Sequence, residues 1–365
     1  MKRSVLNLAT IISLGLILLT GFIWCVLKPA DELSTAERRS LQQFPSPSLD
    51  TVLSGEWMED FDAYTLDQFP LRDHFRTVKA LWQFEVLRQK DNNGIYIVDG
   101  NVYKLEYPLN ENSVVKAANK LNELYDLYLA DSECTAYYAV VPDKNYFAAE
   151  QNGYPALDYE RLLSLLSENI EHLERIDIFD CLSAEDYYRT DAHWRQEKLE
   201  KVVARLSERL GFEYETEFEQ ETLAPFYGVY YGQAALPIAS ESLTILHSDT
   251  IDSAVVTNYE TGEIGGVYDT NDFFGLDPYD VFLQGACPLM TIENPNSDSE
   301  KELIIFRDSF GSSLAPLLIA GYEKITLVDI RYISSSYVGE FVDFSNQDVL
   351  FIYSTLIINN SESLK

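Results

Sequence analysis

The sequence is short of cysteine, histidine and methionine, and shorter still of positive charge relative to negative. Each shortage excludes something. Four cysteines in 365 residues do not make a disulfide scaffold. Beyond Cys25, which lies in an apolar run, only Cys134, Cys181 and Cys287 remain, an odd number that allows one pair at most. None has C-x-x-C spacing, so the commonest zinc and redox motifs are missing. Lys and Arg total 27 against 59 Asp and Glu, a formal net charge of −32. Nucleic acid is therefore excluded as a main partner, because a phosphate backbone needs a basic surface. The same acidity disfavours electrostatic adsorption of the whole chain to anionic lipid. Only one stretch is apolar enough to span a bilayer, which argues against a pump or channel. No repeat of fixed period is visible. Core-forming residues, by contrast, are plentiful. Hydrophobic residues make up 46% and aromatic residues 13% of the chain, so a wholly disordered acidic polymer is excluded.

The single apolar stretch runs from Leu6 to Leu27, without a charge, after Lys2 and Arg3. Positive charge upstream keeps the amino terminus cytoplasmic and sends the remainder outward. A cleaved signal peptide would have a shorter apolar run and a small-x-small exit. Here Trp24-Cys25-Val26-Leu27 precedes Lys28. Residues 1–28 therefore read as a signal anchor, a single-pass transmembrane segment in the cell membrane with an extracytoplasmic domain behind it. A lipid-modified Cys25 is disfavoured by the bulk of Phe22, Ile23 and Trp24. Once Lys2, Arg3 and Lys28 are set apart, 24 basic and 59 acidic residues remain, a formal charge of −35 on the exported part.

Residues 29–93 read as a tether with leading helices. Pro29, Pro45 and Pro47 mark the tether, and Trp57–Phe69 and Arg72–Gln89 carry helical spacing on either side of Pro70. A hairpin is expected across Asp99-Gly100. From there the pattern alternates: helix 114–130, strand 136–141, helix 159–173, strand 176–179, helix 196–210, then strand 303–306, helix 312–320, strand 325–330 and strand 349–353. Several of these strands are apolar throughout, as when both faces of a sheet are covered. The expected class is α/β, with a mainly parallel sheet between helical layers. Residues 94–365 would form this domain, with a β-rich insertion at about 212–300, where Tyr, Gly and Thr rise and helical periodicity fades.

Two segments stand out chemically. Arg307-Asp308-Ser309-Phe310-Gly311 lies between a strand and a helix. A serine at such a turn sits at the carboxyl end of the sheet, where open α/β folds place ligands, and its own N–H can help stabilise an oxyanion. The turn is like a nucleophile elbow, although G-x-S-x-G is absent; alternatively Asp308 or Ser309 only caps the helix. The second segment is Thr190-Asp191-Ala192-His193-Trp194. A serine needs a base and the base an orienting carboxylate. Asp191 and His193, two apart, would share one side of an extended segment; the alternative is a core histidine beside a surface aspartate. His74, His172 and His247 have no comparable setting, and no ligand set around His193 suggests a metal. No cofactor is expected.

Asp191-Ala192-His193-Trp194 resembles the signature of the DHHW family, with Ala192 in place of the first histidine. Further blocks resemble it too: Asp67-Gln68-Phe69-Pro70-Leu71-Arg72-Asp73, Val141-Pro142-Asp143-Lys144, Tyr227-Gly228-Val229-Tyr230-Tyr231-Gly232, Phe282-Leu283-Gln284-Gly285 and Ile305 to Gly311. That family is similar to the SGNH-hydrolase-like domains of alginate O-acetylation proteins, which are exported or membrane-anchored and acetylate an extracellular polysaccharide. The resemblance implies an SGNH-like three-layer sandwich. It also implies Ser309 as nucleophile, His193 as base and Asp191 as its orienter, with the Asp-x-His pair preceding the serine. Arg331 falls where these relatives make a site arginine plausible; a salt-bridged arginine after a strand is the alternative. Gln284-Gly285-Ala286 stands where Gly-Gly-Asn is expected, so an asparagine donor is missing and Gly285 N–H is left to serve the oxyanion. Tyr227–Gly232 is either a loop over the cleft or plain packing.

The expected function is an extracytoplasmic O-acyltransferase or esterase acting on a cell-surface polysaccharide. Its partners would be that glycan and an acyl donor or acyl-delivering membrane protein, with Leu6–Leu27 holding the membrane. A non-catalytic glycan-binding protein and an envelope anchor are the alternatives, because a fold does not establish an activity. At −35, a neutral or zwitterionic glycan fits better than an anionic one, or the acidic surface is neutralised by cations in the wall. The decisive quantity is the distance from His193 to Ser309.

Overall fold

The fold was analysed in a computed structural model that describes residues 2–365. The chain forms two compact units, one of residues up to Asn92 with Gly232–Pro237, the other of Asn93–Tyr231 with Ile238–Lys365.

The first unit begins with α1 (Lys2–Leu27), whose Val5–Leu27 portion is long and apolar enough to cross a membrane. Then come α2 (Leu49–Ser54), α3 (Glu56–Asp67) and α4 (Arg72–Leu81), followed by one π-helical turn, Trp82–Val86. Ser48 caps α2 through a reciprocal pair with Thr51. Gly55, at φ 91°, turns the chain from α2 into α3, a conformation that only glycine adopts without strain. Glu37 gathers Arg39, Arg72 and Arg76. These cations hold its carboxyl below the usual range against the opposing effect of partial burial.

The second unit opens with a hairpin, Ile95–Val98 paired with Asn101–Lys104. Its turn residues Asp99 and Gly100 both have positive φ, the twist that two-residue hairpins require. An eight-stranded sheet follows. Its strands are β1 (Thr135–Val141), β2 (Glu174–Ile176), β3 (Val255–Asn258), β4 (Ile264–Gly265), β5 (Leu289–Glu293), β6 (Glu302–Arg307), β7 (Lys324–Val328) and β8 (Asp348–Ser354). The order across the sheet is β4-β3-β5-β7-β6-β8-β1-β2. Pairings from β7 to β2 are parallel, and those from β7 to β4 antiparallel. The 212–300 segment supplies the three antiparallel strands and a separate long hairpin, Glu219–Phe226 with Glu241–His247.

Period-two alternation sorts the strand side chains into two cores. Tyr138, Val140, Ile304, Phe306, Val349 and Phe351 pack under α5 (Glu111–Tyr128) and α6 (Tyr159–Asn169). Ala139, Val141, Leu303, Ile305, Leu350 and Ile352 pack on the other face under α7 (Glu200–Leu210) and the 310–319 region. The result is three layers. Two local expectations shift. The strand after α6 is Glu174–Ile176, with Phe179–Cys181 a 3-10 turn, so it ends earlier than the apolar run. The expected helix 312–320 is instead a five-residue helix, Phe310–Leu314, followed by 3-10 turns, because Pro316 cannot donate to a continuing ladder.

Leu350 is fully buried at the middle of β8. Leu350→Ala should lower unfolding free energy by about 2–5 kcal/mol, read as a lower urea midpoint at unchanged slope.

Candidate active site

β6, β7, β8 and β1 all run in one direction, so their carboxyl ends bring Asp308, Asp329, Ser354 and Asp143 to one edge of the sheet. Asp308 fixes the turn after β6. Its Oδ1 accepts from Phe310 N–H at 3.0 Å and its Oδ2 from Ser354 N–H at 2.8 Å. Gly311 has no room for a side chain: a Cβ there would lie 2.7 Å from Arg307 Cβ. Arg307 is fully buried beneath the turn, with Nη1 donating to Ser312 Oγ at 3.0 Å. Burial lowers its proton affinity, and Asp329 opposes that.

His193 meets this turn. Its Nε2 lies 2.8 Å from Ser309 Oγ, and its Nδ1 lies 2.7 Å from Asp191 Oδ1. A carboxylate only accepts, so Nδ1 carries the proton and Nε2 is left to accept from the Ser309 hydroxyl. The Asp191 side chain is sealed from water, whereas that of His193 is 13% exposed and Ser309 is half-buried. The hydrogen-bonded chain therefore runs from a dry end to a wet end. The imidazole stacks on Tyr279 at 3.9 Å and 10°. Tyr279 is in turn pinned through its hydroxyl to Ser313 Oγ at 2.8 Å, which also accepts from Trp194 Nε1 at 2.9 Å. Burial raises the Tyr279 phenol well above its usual value, so it stays neutral beside the ring.

The 190–194 segment is not extended, as its spacing had suggested. Asp191 Oδ1 also accepts from His193 N–H at 3.0 Å, and Tyr188 N–H donates to His193 O at 3.0 Å, so the segment is a closed loop built on an Asx-turn. Three partners far off in sequence hold it. The Tyr227–Tyr231 block does so with backbone. Gly228 N–H donates to Thr190 Oγ1 at 2.9 Å, Val229 N–H to Asp191 Oδ2 at 2.7 Å, and Tyr230 N–H to Thr190 O at 2.9 Å. Glu241 accepts from Arg189 N–H, Thr190 N–H and the Thr190 hydroxyl at 2.6–2.7 Å, and from Arg195 at 3.0 Å. Lys144 is buried, and its Nζ donates to the carbonyls of Val102, Tyr188 and Arg189 at 2.7–2.8 Å. Burial pushes the Lys144 ammonium down to about 7, against the raising influence of Glu241 and Asp191.

The other expected site residues take different places. Arg331 turns onto the buried Asp329, with Nη2 at 2.6 Å from Oδ2 and Nε at 2.9 Å from Oδ1. Gly285 donates its N–H to Phe282 O at 3.3 Å, and its φ of 78° and a Cβ position 2.2 Å from Asp280 Oδ1 demand glycine. That N–H is engaged in a turn rather than presented to an oxyanion. The Tyr227 ring is half-exposed and lies 4.5 Å from that of Tyr231. Glu241 carried no sequence signal at all. The roles of Lys144 and Gly228 could have been suspected from the blocks that hold them, but not assigned.

In fold, the chain is similar to a DHHW family protein. That protein, from Eubacterium siraeum, superposes with a TM-score of 0.62 at 19% identity, over 75% of this chain and 95% of its own. Bacillus cereus PatB1, solved with a sulfonyl adduct, superposes at 0.58 and 16% identity, over 72% and 95%. The O-acetyltransferase domain of Pseudomonas putida AlgJ aligns at 0.45 and 12% identity, over 73% and 92%. No protein-family model matches the chain, and no curated protein matches it in sequence. The first two superpositions show a shared three-layer α/β fold, and identities this low speak for fold alone.

Two measurements follow from the loop that holds Asp191. A Cβ on Gly228 would lie 2.3 Å from the Thr190 backbone and 2.4 Å from Asp191 Cβ. Gly228→Ala should therefore cost about 1–3 kcal/mol in urea unfolding, as over-packing does, while the same change at the open Gly266 leaves stability within about 1 kcal/mol. The second concerns pH. Lys144 binds its proton more weakly when folded, at about 7, than an ordinary lysine at 10.5. Between those values the unfolded chain holds a proton that the folded chain has released, so this contribution to stability rises with pH. Below about 7 the penalty of the buried charge is felt in full. Wild type should gain stability relative to Lys144→Met between pH 6.5 and 9; parallel curves would refute it.

Proposed function

We propose that this protein is a membrane-anchored, extracytoplasmic O-acyltransferase or esterase that uses Ser309, His193 and Asp191 on a cell-surface polysaccharide. The observation that carries the reading is the pair of contacts made by His193, 2.8 Å to Ser309 Oγ and 2.7 Å to Asp191. In the first half-reaction His193 Nε2 takes the hydroxyl proton as Ser309 Oγ attacks an acyl carbonyl. The tetrahedral intermediate collapses, the leaving group departs with the proton from His193, and an acyl-serine remains. In the second, His193 takes a proton from a glycan hydroxyl, or from water, as that oxygen attacks the acyl carbonyl; the bond from the acyl carbon to Ser309 Oγ breaks, and Oγ takes the proton back from His193 as the acylated glycan or the free acid leaves. Asp191 holds the ring in the required tautomer and stabilises the imidazolium in each half. Ser309 N–H is the backbone donor nearest the developing oxyanion by connectivity. The fold shared with PatB1, and the adduct described for that protein, make a sulfonyl reagent the natural probe.

The full chain treated with a sulfonyl fluoride should gain the mass of one sulfonyl group on the peptide containing Ser309, and Ser309→Ala should not. Hydrolysis of an activated acetyl ester should fall by roughly 10³-fold or more in Ser309→Ala and His193→Ala, the scale on which triad members act. A wild type that neither labels nor hydrolyses would overturn the catalytic reading.

One observation favours a second reading. Gly285 N–H, the expected second oxyanion donor, is given to Phe282 O. A non-catalytic glycan-binding protein on the same fold would bind polysaccharide equally well in wild type, Ser309→Ala and His193→Ala.

A further inference from the structure

α1 ends at Leu27, and the chain does not drift free beyond it. Lys28 Nζ pairs with Asp31 at 2.6 Å. Asp31 N–H donates to Gln68 Oε1 at 2.8 Å, and Gln68 Nε2 donates back to Asp31 O at 2.8 Å and to Gln42 O at 3.1 Å. Beside it, Arg39 forks onto both oxygens of Asp67 at 2.6 and 2.8 Å. Gln68 is buried, and it occupies the corner where α3 gives way to α4. That corner is therefore fastened to a residue four positions past the end of α1. Four residues reach at most about 14 Å, and the headgroup layer on each side of a bilayer is on the order of 5–8 Å thick. With α1 inserted, the corner lies among the headgroups or just above them.

From the corner, α4 and the π-helical turn present Leu71, Phe75, Val78 and Trp82 at helical spacing on one face. Phe75 is 57% exposed, Val78 62% and Trp82 56%. Ala80 is the buried residue of α4, off this stripe. The local charge balance differs as well. Residues 72–90 hold five Lys and Arg against two acidic residues, in a chain of net charge −32; Arg72 and Arg76 turn onto Glu37, and Lys79, Arg88 and Lys90 are the other three. An apolar stripe bearing Phe and Trp, with Lys79 beside it and Arg88 and Lys90 following the helical segment, has the make-up of a helix that lies in a membrane interface.

We propose that α4 and its π-helical turn dock on the bilayer that α1 enters, with Phe75, Val78 and Trp82 at the headgroup–acyl boundary and the basic residues against anionic headgroups. The proposal rests on reading α1 as a membrane anchor. The first unit is then held at two points, and residues 28–48 are a short strap between them rather than a long free tether. The global acidity disfavours adsorption of the whole chain; the local charge balance over 72–90 permits it at this one helix.

The test uses the full chain in vesicles of phosphatidylcholine and phosphatidylglycerol, with acyl chains brominated near the headgroup. Emission lost in Trp82→Phe reports Trp82, and emission lost in Trp24→Phe reports α1. The expected result is that bromolipid quenches both signals at least about twofold and that Trp82 is shielded from acrylamide, as for an inserted interfacial side chain. If Trp24 is quenched while Trp82 is not and stays open to acrylamide, the docking is overturned and the anchor stands. If Trp82 escapes both quenchers, protein covers it, a second copy included, and the docking is again overturned. If neither tryptophan is quenched by lipid, the anchor reading itself fails.

Discussion

Asp191 lies wholly out of water, and an ionised carboxylate in that position is costly by several kcal/mol unless donors surround it. The geometry around it answers that demand. Oδ1 takes the ring N–H and the backbone N–H of His193, and Oδ2 takes the N–H of Val229. Val229 can approach so closely because Gly228 has no side chain to strike Thr190. Thr190 is itself strung between Gly228, Tyr230 and Glu241. On the opposite side Lys144 gathers carbonyl groups of the same loop. The loop is thus suspended between a buried carboxylate that binds its N–H groups and a buried ammonium that binds its C=O groups. Backbone polar groups within it are satisfied without regular secondary structure.

The parallel half of the sheet imposes the second constraint. Because β6, β7, β8 and β1 run the same way, the residues that follow them meet at one edge, and Asp308 ties two of those ends together. Open α/β sheets place their ligands at that edge. Ser309 belongs to this rigid half, whereas His193 arrives on the suspended loop. Their 2.8 Å contact joins a strand end of the sheet to a loop whose position depends on residues from three other stretches of chain. Stacking on Tyr279 and the packing of Trp194 against Phe310 add a fixed floor to the imidazole.

Charge is distributed with the same locality. The chain as a whole is strongly acidic, yet its buried cations, Lys144 and Arg307, lie under the loop and the turn that carry His193 and Ser309. The basic stretch 72–90 belongs to the other unit and follows directly on the segment bound to the end of α1. Net charge describes neither place, because interactions of this kind fall off within about 10 Å at ordinary ionic strength.

The α/β class, the alternation of elements, a first helix long and apolar enough to cross a membrane and the hairpin turn at Asp99-Gly100 could all be read in the sequence, because periodicity and turn chemistry are local properties. The segments bearing Asp191, His193 and Ser309 were legible as well, since each combines a reactive side chain with a marked local setting. The short helix after Ser309 was misjudged in length, because the pull of an apolar run concealed the break at Pro316. Glu241, Lys144 and the backbone of Gly228–Tyr230 were out of reach for a different reason. Their contribution is a set of hydrogen bonds across 38 to 52 residues of chain, and no local pattern encodes the far partner of such a bond. Gly285 differs, because its N–H looks available in the sequence and is turned onto Phe282, only three residues back, by a local turn. The types of side chain and their local settings are written in the chain's order of residues. Which of them are dry, which are held and which can reach one another follows from the packing of distant segments, which no short stretch of chain encodes.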